Sequence, residues 1–209
     1  LLGLKGLTPG QIFVKPNAVS VPEALVPGLE RQDRVLFASR LEDLKGIRVL
    51  LEAWRLLGNR GPELLLCGDG PLEDWCRGFV EDNKLHNVRL LGRLPNDRVR
   101  SLMATSRALI LPTQCYEGFP LCIAEAYSVG TPVLVSKLGN GGSLVRSGVS
   151  GLKFDQQSPQ SIAKTVKKFM NTEDVDWQAN TNAFYRENLT PEMNYTRLME
   201  VYRAAKESV

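Results

Sequence analysis

Residues 115–130 read Cys115-Tyr-Glu-Gly-Phe-Pro-Leu-Cys-Ile-Ala-Glu-Ala-Tyr-Ser-Val-Gly130. An apolar run, residues 108–111, precedes this stretch and ends at Pro112. Another, Thr131-Pro-Val-Leu-Val-Ser136, follows it. The pattern predicts a strand, a loop, a helix and a return to a strand. Glu117 and Gly118 fall at the turn. Pro120 suits the first helical position, where a missing N–H costs nothing, and Gly130 suits the C-cap. The helix would then begin at the carboxyl edge of a parallel sheet. Its free N–H groups and positive dipole end would make an anion site there, with phosphate the usual occupant. Glu117 and Glu125 share the segment. Carboxylates repel phosphate but accept hydrogen bonds from sugar hydroxyls, so the pairing points to a ligand carrying both a diphosphate and sugars.

Working outward, the same alternation recurs. Residues 35–39, 63–67, 88–91, 108–111, 133–135 and 151–154 read as strands. Residues 45–57, 72–84, 95–105, 121–128, 158–170, 174–187 and 191–207 read as helices, with a short helix at 142–146. Strands alternating with helices predict an α/β fold, a doubly wound, Rossmann-like parallel sheet. Residues 1–33 are less regular. They hold a short β-like run, Gln11-Ile-Phe-Val-Lys15, and a stretch punctuated by Pro and Gly, and they read as a linker entering a domain over residues 34–209.

A chain of 209 residues, 43% hydrophobic, has material for one substantial core. The net charge of +3 comes from interleaved Lys, Arg, Asp and Glu, which argues against a nucleic-acid surface. Cys67, Cys76, Cys115 and Cys122 have no Cys-x-x-Cys spacing, and read as free, mostly buried thiols in a reducing compartment. No apolar run reaches transmembrane length, and no signal peptide is evident. The first residues, Leu-Leu-Gly-Leu, lack an initiator Met, so a piece of a longer protein is expected. His86, the single histidine, lies in a polar link, so neither a Ser-His-Asp triad nor a histidine metal site is expected. Trp54, Trp75 and Trp177 fall on apolar helix faces and read as packing residues.

Other loops carry candidate chemistry. Ser39-Arg40-Leu-Glu-Asp-Leu-Lys45-Gly46 is the first strand-to-helix loop, where Arg40 would fork onto phosphate oxygens and Lys45 add a point charge. Gly68-Asp-Gly-Pro71 is a turn; it lacks the third glycine of Gly-x-Gly-x-x-Gly, which disfavours a nicotinamide dinucleotide site. Gly92 and Arg93 follow the third strand, where backbone groups would meet a base edge. Gly139-Asn-Gly-Gly142 is a glycine-rich loop before a short helix; it would place backbone N–H groups against a phosphate or sugar, with simple flexibility as the alternative reading.

Glu117-Gly-Phe-Pro-Leu-Cys-Ile-Ala-Glu125 resembles the Glu-x7-Glu pattern of the retaining glycosyltransferases of family 4, which have GT-B architecture. Val14-Lys-Pro-Asn-Ala-Val19 is similar to their hinge, and Arg40 with Lys45-Gly46 to their diphosphate pair. Gly68-Asp-Gly-Pro71, Asn87-Val-Arg-Leu-Leu-Gly92, Gly148-Val-Ser-Gly-Leu152 and the closing helix around Tyr195 to Tyr202 resemble further family features in the same order. The resemblance implies the C-terminal, donor-binding half of such an enzyme. Arg40, Lys45 and Glu117 would be the catalytic set, the first two stabilising the leaving diphosphate and Glu117 contacting the transferred sugar. Gly118, Phe119, Pro120 and Leu121 would line the pocket, Glu125 would hold the ribose hydroxyls, and Gly92 and Arg93 would border the base. It implies no metal and no cofactor beyond the nucleotide-diphosphate sugar donor.

The resemblance further implies an acceptor, a glycan or glycolipid, bound through an N-terminal domain that also carries the family's active-site histidine. A cytoplasmic protein is expected, with peripheral association at the inner face of the membrane for the full-length form. The 209-residue chain is expected to bind donor weakly and to transfer no sugar by itself. Two departures stand out: Asn140 interrupts the glycines, and Ser143-Leu144 replaces the family's common Pro-Glu. The alternatives are a non-catalytic nucleotide-sugar-binding subunit and a nucleotide-sugar 2-epimerase of the same architecture.

Overall fold

The computed structural model describes residues 12–13, 15–20 and 30–207. Six strands form one parallel sheet: β1 (Gln32–Ala38), β2 (Glu63–Cys67), β3 (Val88–Gly92), β4 (Ser106–Leu111), β5 (Val133–Ser136) and β6 (Gly151–Phe154). Their spatial order is β3-β2-β1-β4-β5-β6, the doubly wound order. The helices are α1 (Ile47–Leu57), α2 (Glu73–Asp82), α3 (Asn96–Thr105), α4 (Leu121–Ser128), α5 (Gly139–Leu144), α6 (Pro159–Met170), α7 (Trp177–Asn188) and α8 (Pro191–Glu207).

Because side chains alternate along a strand, each strand feeds two cores. Val35 and Phe37 of β1, Leu64 and Leu66 of β2 and Ala108 and Ile110 of β4 face α1 and α6. Leu36, Leu65 and Leu109 face the opposite layer, which holds Met103 of α3, Ile123 and Tyr127 of α4 and Tyr185 of α7. Trp54 is fully buried and donates its indole N–H to Pro62 O at 3.0 Å. Trp75 and Trp177 pack against the first core as partly buried rings, as their helical spacing predicts.

Four details differ from the sequence reading. First, β1 begins at Gln32, three residues before the apolar run, because Gln32 and Asp33 sit at its exposed end. Second, Pro120 is the N-cap of α4, with an extended ψ of 99°, and the helix starts at Leu121. The Pro120 carbonyl accepts the Ile123 N–H at 3.0 Å, so the proline cap still closes the first turn. Third, Val129 is the C-cap and Gly130 lies one residue beyond, at φ 74°. Gly130 N–H donates to Tyr127 O and Thr131 N–H to Ala126 O, the paired bonds of a Schellman ending.

Fourth, Gly139 to Leu144 is a helix, where the glycines read as a loop. Glycine is a poor helix former, but here space decides. A Cβ on Gly142 would sit 2.6 Å from Lys137 O, and one on Gly141 3.3 Å from a Val135 methyl.

In the β-like run, Gln11 and Val14 lie outside the described residues, and Ile12 and Phe13 form no strand. The Pro- and Gly-punctuated stretch over residues 21–29 also lies outside. Of the hinge-like segment, Lys15 to Val19 is strapped to the last two helices. Val19 N–H donates to Leu189 O at 3.1 Å, and its carbonyl accepts the Tyr185 hydroxyl at 2.7 Å. Lys15 Nζ donates to Asn194 Oδ1 at 2.9 Å, while Asn194 Nδ2 donates to Pro16 O at 2.6 Å. No described helix is long and apolar enough to cross a membrane.

Arg31, which the sequence placed in the linker, is structural. Its guanidinium donates to Ser106 O at 2.7 Å, Val129 O at 2.9 Å and Thr131 Oγ1 at 2.8 Å, tying the ends of α3 and α4 to the sheet. Burial pushes its pKa down to about 10, so it remains charged at neutral pH. Arg31→Met removes the guanidinium donor from these buried acceptors; the Thr131 hydroxyl keeps its bond to Met103 O at 2.7 Å. Urea unfolding should show a loss of about 2–4 kcal/mol.

Candidate functional site

The strand order reverses between β1 and β4, and the loops that follow these two strands form the crevice where doubly wound sheets bind ligands. The two loops are stitched together. Leu44 O accepts the Gln114 N–H at 2.8 Å and the Thr113 hydroxyl at 3.3 Å. Gly46, at φ 73°, lies so near Pro112 that a Cβ would fall 1.9 Å from its carbonyl oxygen. From the other side, the β2–α2 turn supports the Arg40 loop. Leu41 N–H donates to Asp69 O at 2.8 Å, and a Cβ on Gly68 would fall 1.9 Å from Ser39 O. The Gly-Asp-Gly-Pro turn is therefore a backbone buttress.

Two adjoining pockets open here. The first, about 440 Å³, is lined by Lys45, Glu117, Gly118, Phe119, Pro120 and Leu121, with Thr113 beneath. The second, about 560 Å³, is bordered by Arg40, Asp69, Arg93, Asn96 and Glu125. Ser39 and Cys122 line both and form the seam.

In the first pocket the Lys45 ammonium pairs with the Glu117 carboxylate, and both side chains are largely buried. Burial opposes the lysine charge, but the hydrogen bond and ion pair to Glu117 outweigh it and hold its pKa above the ordinary lysine value. The Thr113 hydroxyl also lies 3.4 Å from the same carboxylate oxygen, so its single proton is shared between Glu117 and Leu44 O. The start of α4 opens into this pocket, and the Leu121 and Cys122 N–H groups have no backbone acceptor among the described residues. Asn140 Nδ2 donates to Gly118 O at 2.6 Å and fixes the turn. Cation and helix mouth thus meet in one cavity, as an anion site requires.

Arg40 stands apart from them. Its side chain is 68% exposed, lies 3.7 Å from Glu42 and borders the second pocket. Gly92 lines neither pocket. Its carbonyl accepts the Gly68 N–H at 2.8 Å, and its neighbour Arg93 reaches the rim. Glu125 faces the second pocket and accepts a hydrogen bond from Arg100 Nη2 at 3.4 Å. Sequence reasoning missed Arg100, Thr113, Ser39 and Cys122. Of these, Ser39 and Thr113 carry a usable signal, since each directly follows a switch-point strand or its terminal proline.

Burial, helped by the charges of Glu117 and Glu125, pushes the Cys122 thiol up to about 12. It stays protonated at neutral pH, an uncharged seam between the two pockets. His86 is exposed, outside both pockets. Among the described residues no three His, Cys, Asp or Glu side chains converge as metal ligands would.

The sequence pattern of the glycosyl transferases group 1 matches residues 26–188. The chain belongs to that family. This group 1 chain is similar to an uncharacterized glycosyltransferase, MJ1178, of Methanocaldococcus jannaschii, 29% identical over 140 residues that cover 67% of this chain and 39% of that protein. Among solved structures, the lipopolysaccharide outer core galactosyltransferase WaaB in its apo form superposes with a TM-score of 0.80 at 20% identity. It covers 96% of this chain and 57% of its own. Anabaena HepE, in complex with UDP and glucose, gives 0.72 at 22% identity over 83% of this chain and 48% of its own. These two likenesses show the fold. The chain spans about two fifths of the length of the curated relatives it matches.

Gly46→Ala combines a left-handed backbone with a backbone clash and should cost about 2–4 kcal/mol by denaturant unfolding. Gly148→Ala, at φ 80° but with open space around it, should cost about 1–2 kcal/mol. For Cys122, iodoacetamide at pH 8 followed by peptide mass spectrometry should leave the residue largely unmodified, because alkylation needs the thiolate.

Proposed function

We propose that this chain is the donor-binding part of a retaining glycosyltransferase of family 4, moving a sugar from a nucleotide-diphosphate sugar to an acceptor. In this reading residues 34–209 form the C-terminal half of a GT-B enzyme, joined through residues 1–33 to a preceding domain that binds the acceptor, a glycan or glycolipid. The observation that carries the reading is the meeting of Lys45, Glu117 and the mouth of α4 in one pocket at the strand-order reversal. Membership of the group 1 family supports it, as does the similarity in fold to a protein solved with UDP and glucose.

The two pockets divide the ligand between them. The diphosphate lies at the seam, where Lys45 and the N–H groups of Leu121 and Cys122 face it from the first pocket and Arg40 from the second. The transferred sugar occupies the first pocket against Glu117 and the turn Gly118–Phe119–Pro120. The nucleoside extends into the second, with Glu125 toward the ribose and Gly92–Arg93 near the base. As the sugar–phosphate bond breaks, negative charge grows on the leaving nucleoside diphosphate. A preorganised cation and helix dipole stabilise that charge most when it is fully developed, which is the requirement for lowering a barrier. In this account no metal is needed for that step. Before donor binds, Glu117 neutralises Lys45. Phosphate then takes over the ammonium, and the freed carboxylate turns to the sugar hydroxyls.

The test combines binding and turnover. UDP, GDP or ADP should raise the melting temperature of the chain, since a ligand held only by the folded form stabilises it. Lys45→Ala should abolish that rise. In the full-length protein, assayed in EDTA, Lys45→Ala should lower kcat by about 10²–10³-fold. A chain stabilised by none of these nucleotides, or a variant with unchanged turnover, overturns the proposal.

A further inference from the structure

We propose that Arg100 is a positioning residue that holds Glu125 toward the ribose hydroxyls of the donor and so sets a preference for ribonucleotides. The inference rests on the reading of Glu125 as a ribose acceptor, and goes beyond it by asking what makes a flexible glutamate fit for that task.

The geometry is specific. α3 and α4 pack side by side, and Asn96, Val99 and Met103 of α3 line the second pocket together with Glu125. Arg100, the residue after Val99, does not line it. It approaches Glu125 from outside the ligand space, with Nη2 3.4 Å from Glu125 Oε1 and both side chains about three-quarters buried. Among the described residues the Arg100 guanidinium has no other acceptor, and its Nε is fully buried without a hydrogen-bond partner. The second carboxylate oxygen, Glu125 Oε2, likewise has no partner among the described residues and stays available to a ligand.

Burying a guanidinium is costly, and a single carboxylate is the acceptor that the described residues offer it. That carboxylate gains order. One oxygen is fixed, so part of the entropy of ordering a long side chain is lost before the ligand arrives, and the other is left to accept from the vicinal hydroxyls.

The readout is the ratio of affinities for a ribonucleotide and its 2′,3′-dideoxy counterpart, measured on the chain by calorimetry with UDP and dideoxy-UDP and with the guanosine and adenosine pairs. The unsubstituted chain should prefer the ribonucleotide by about tenfold or more, the worth of a hydrogen bond to a charged group. Glu125→Ala should remove the preference. Arg100→Met should lower it at least about fivefold without weakening dideoxynucleotide binding, and Arg100→Lys, which keeps the charge, should recover part of it. Should Arg100→Met unfold, Arg100→Gln is measured in its place against the same expectation.

If Glu125→Ala removes the preference and the Arg100 variants keep it, the inference is wrong and the reading of Glu125 stands. Equal weakening of both nucleotides by Arg100→Met means a merely structural role and also overturns it. If Glu125→Ala keeps the preference, or the unsubstituted chain shows none, the ribose reading fails and the inference falls with it.

Discussion

The contact between the β1–α1 and β4–α4 loops is the constraint on which the site depends. Two strands that are neighbours in the sheet leave it toward opposite layers, and their loops would separate unless something held them. Leu44 O, with the Gln114 N–H and the Thr113 hydroxyl, supplies that hold. The missing side chain at Gly46 lets the backbones come within contact distance. Lys45 sits between those two residues, so its position follows from the stitch. Glu117 lies three residues beyond Gln114 and is brought opposite it by the same bonds. The Gln114 amide adds a third tie, donating to Pro112 O at 2.7 Å and to Gln156 O at 2.5 Å, which links the loop to the segment that follows β6.

The electrostatics follow from that placement. A lysine brought to a helix mouth places two positive features at close range, and Glu117 relieves the repulsion. A part-buried ion pair of this kind is worth on the order of 1 kcal/mol net. The pair is therefore strong enough to keep the cation ordered and weak enough to exchange its partner. Burial and two acidic neighbours push the Cys122 thiol upward, so the seam between the pockets carries no thiolate charge.

Much of the fold was legible because its signals are local. Apolar runs of four to six residues, each closed by Gly or Pro, mark strands that end at a ligand edge, and Ser158 before Pro159 marks the cap of α6. Lys45, Glu117 and Glu125 were legible for a related reason: each lies within a few residues of a strand end or a helix start. The remainder depends on distance in sequence. Arg100 carries no local signal, and its meeting with a glutamate 25 positions away is set by how α3 and α4 pack. Arg31 reads as linker because its acceptors, from Ser106 to Thr131, are contributed by segments about a hundred residues downstream. The glycines of α5 were misread because propensity speaks for flexibility, whereas the Lys137 carbonyl leaves room for no other residue type at position 142.

The partition between the two pockets is only Ser39 and the side chain of Cys122. Its thickness is therefore set by two small side chains, one at the end of β1 and one on the first turn of α4. A bulkier group at either position would thicken the wall between the two spaces, so the distance between neighbouring cavities in this fold is tuned by side-chain volume at two points far apart in the chain.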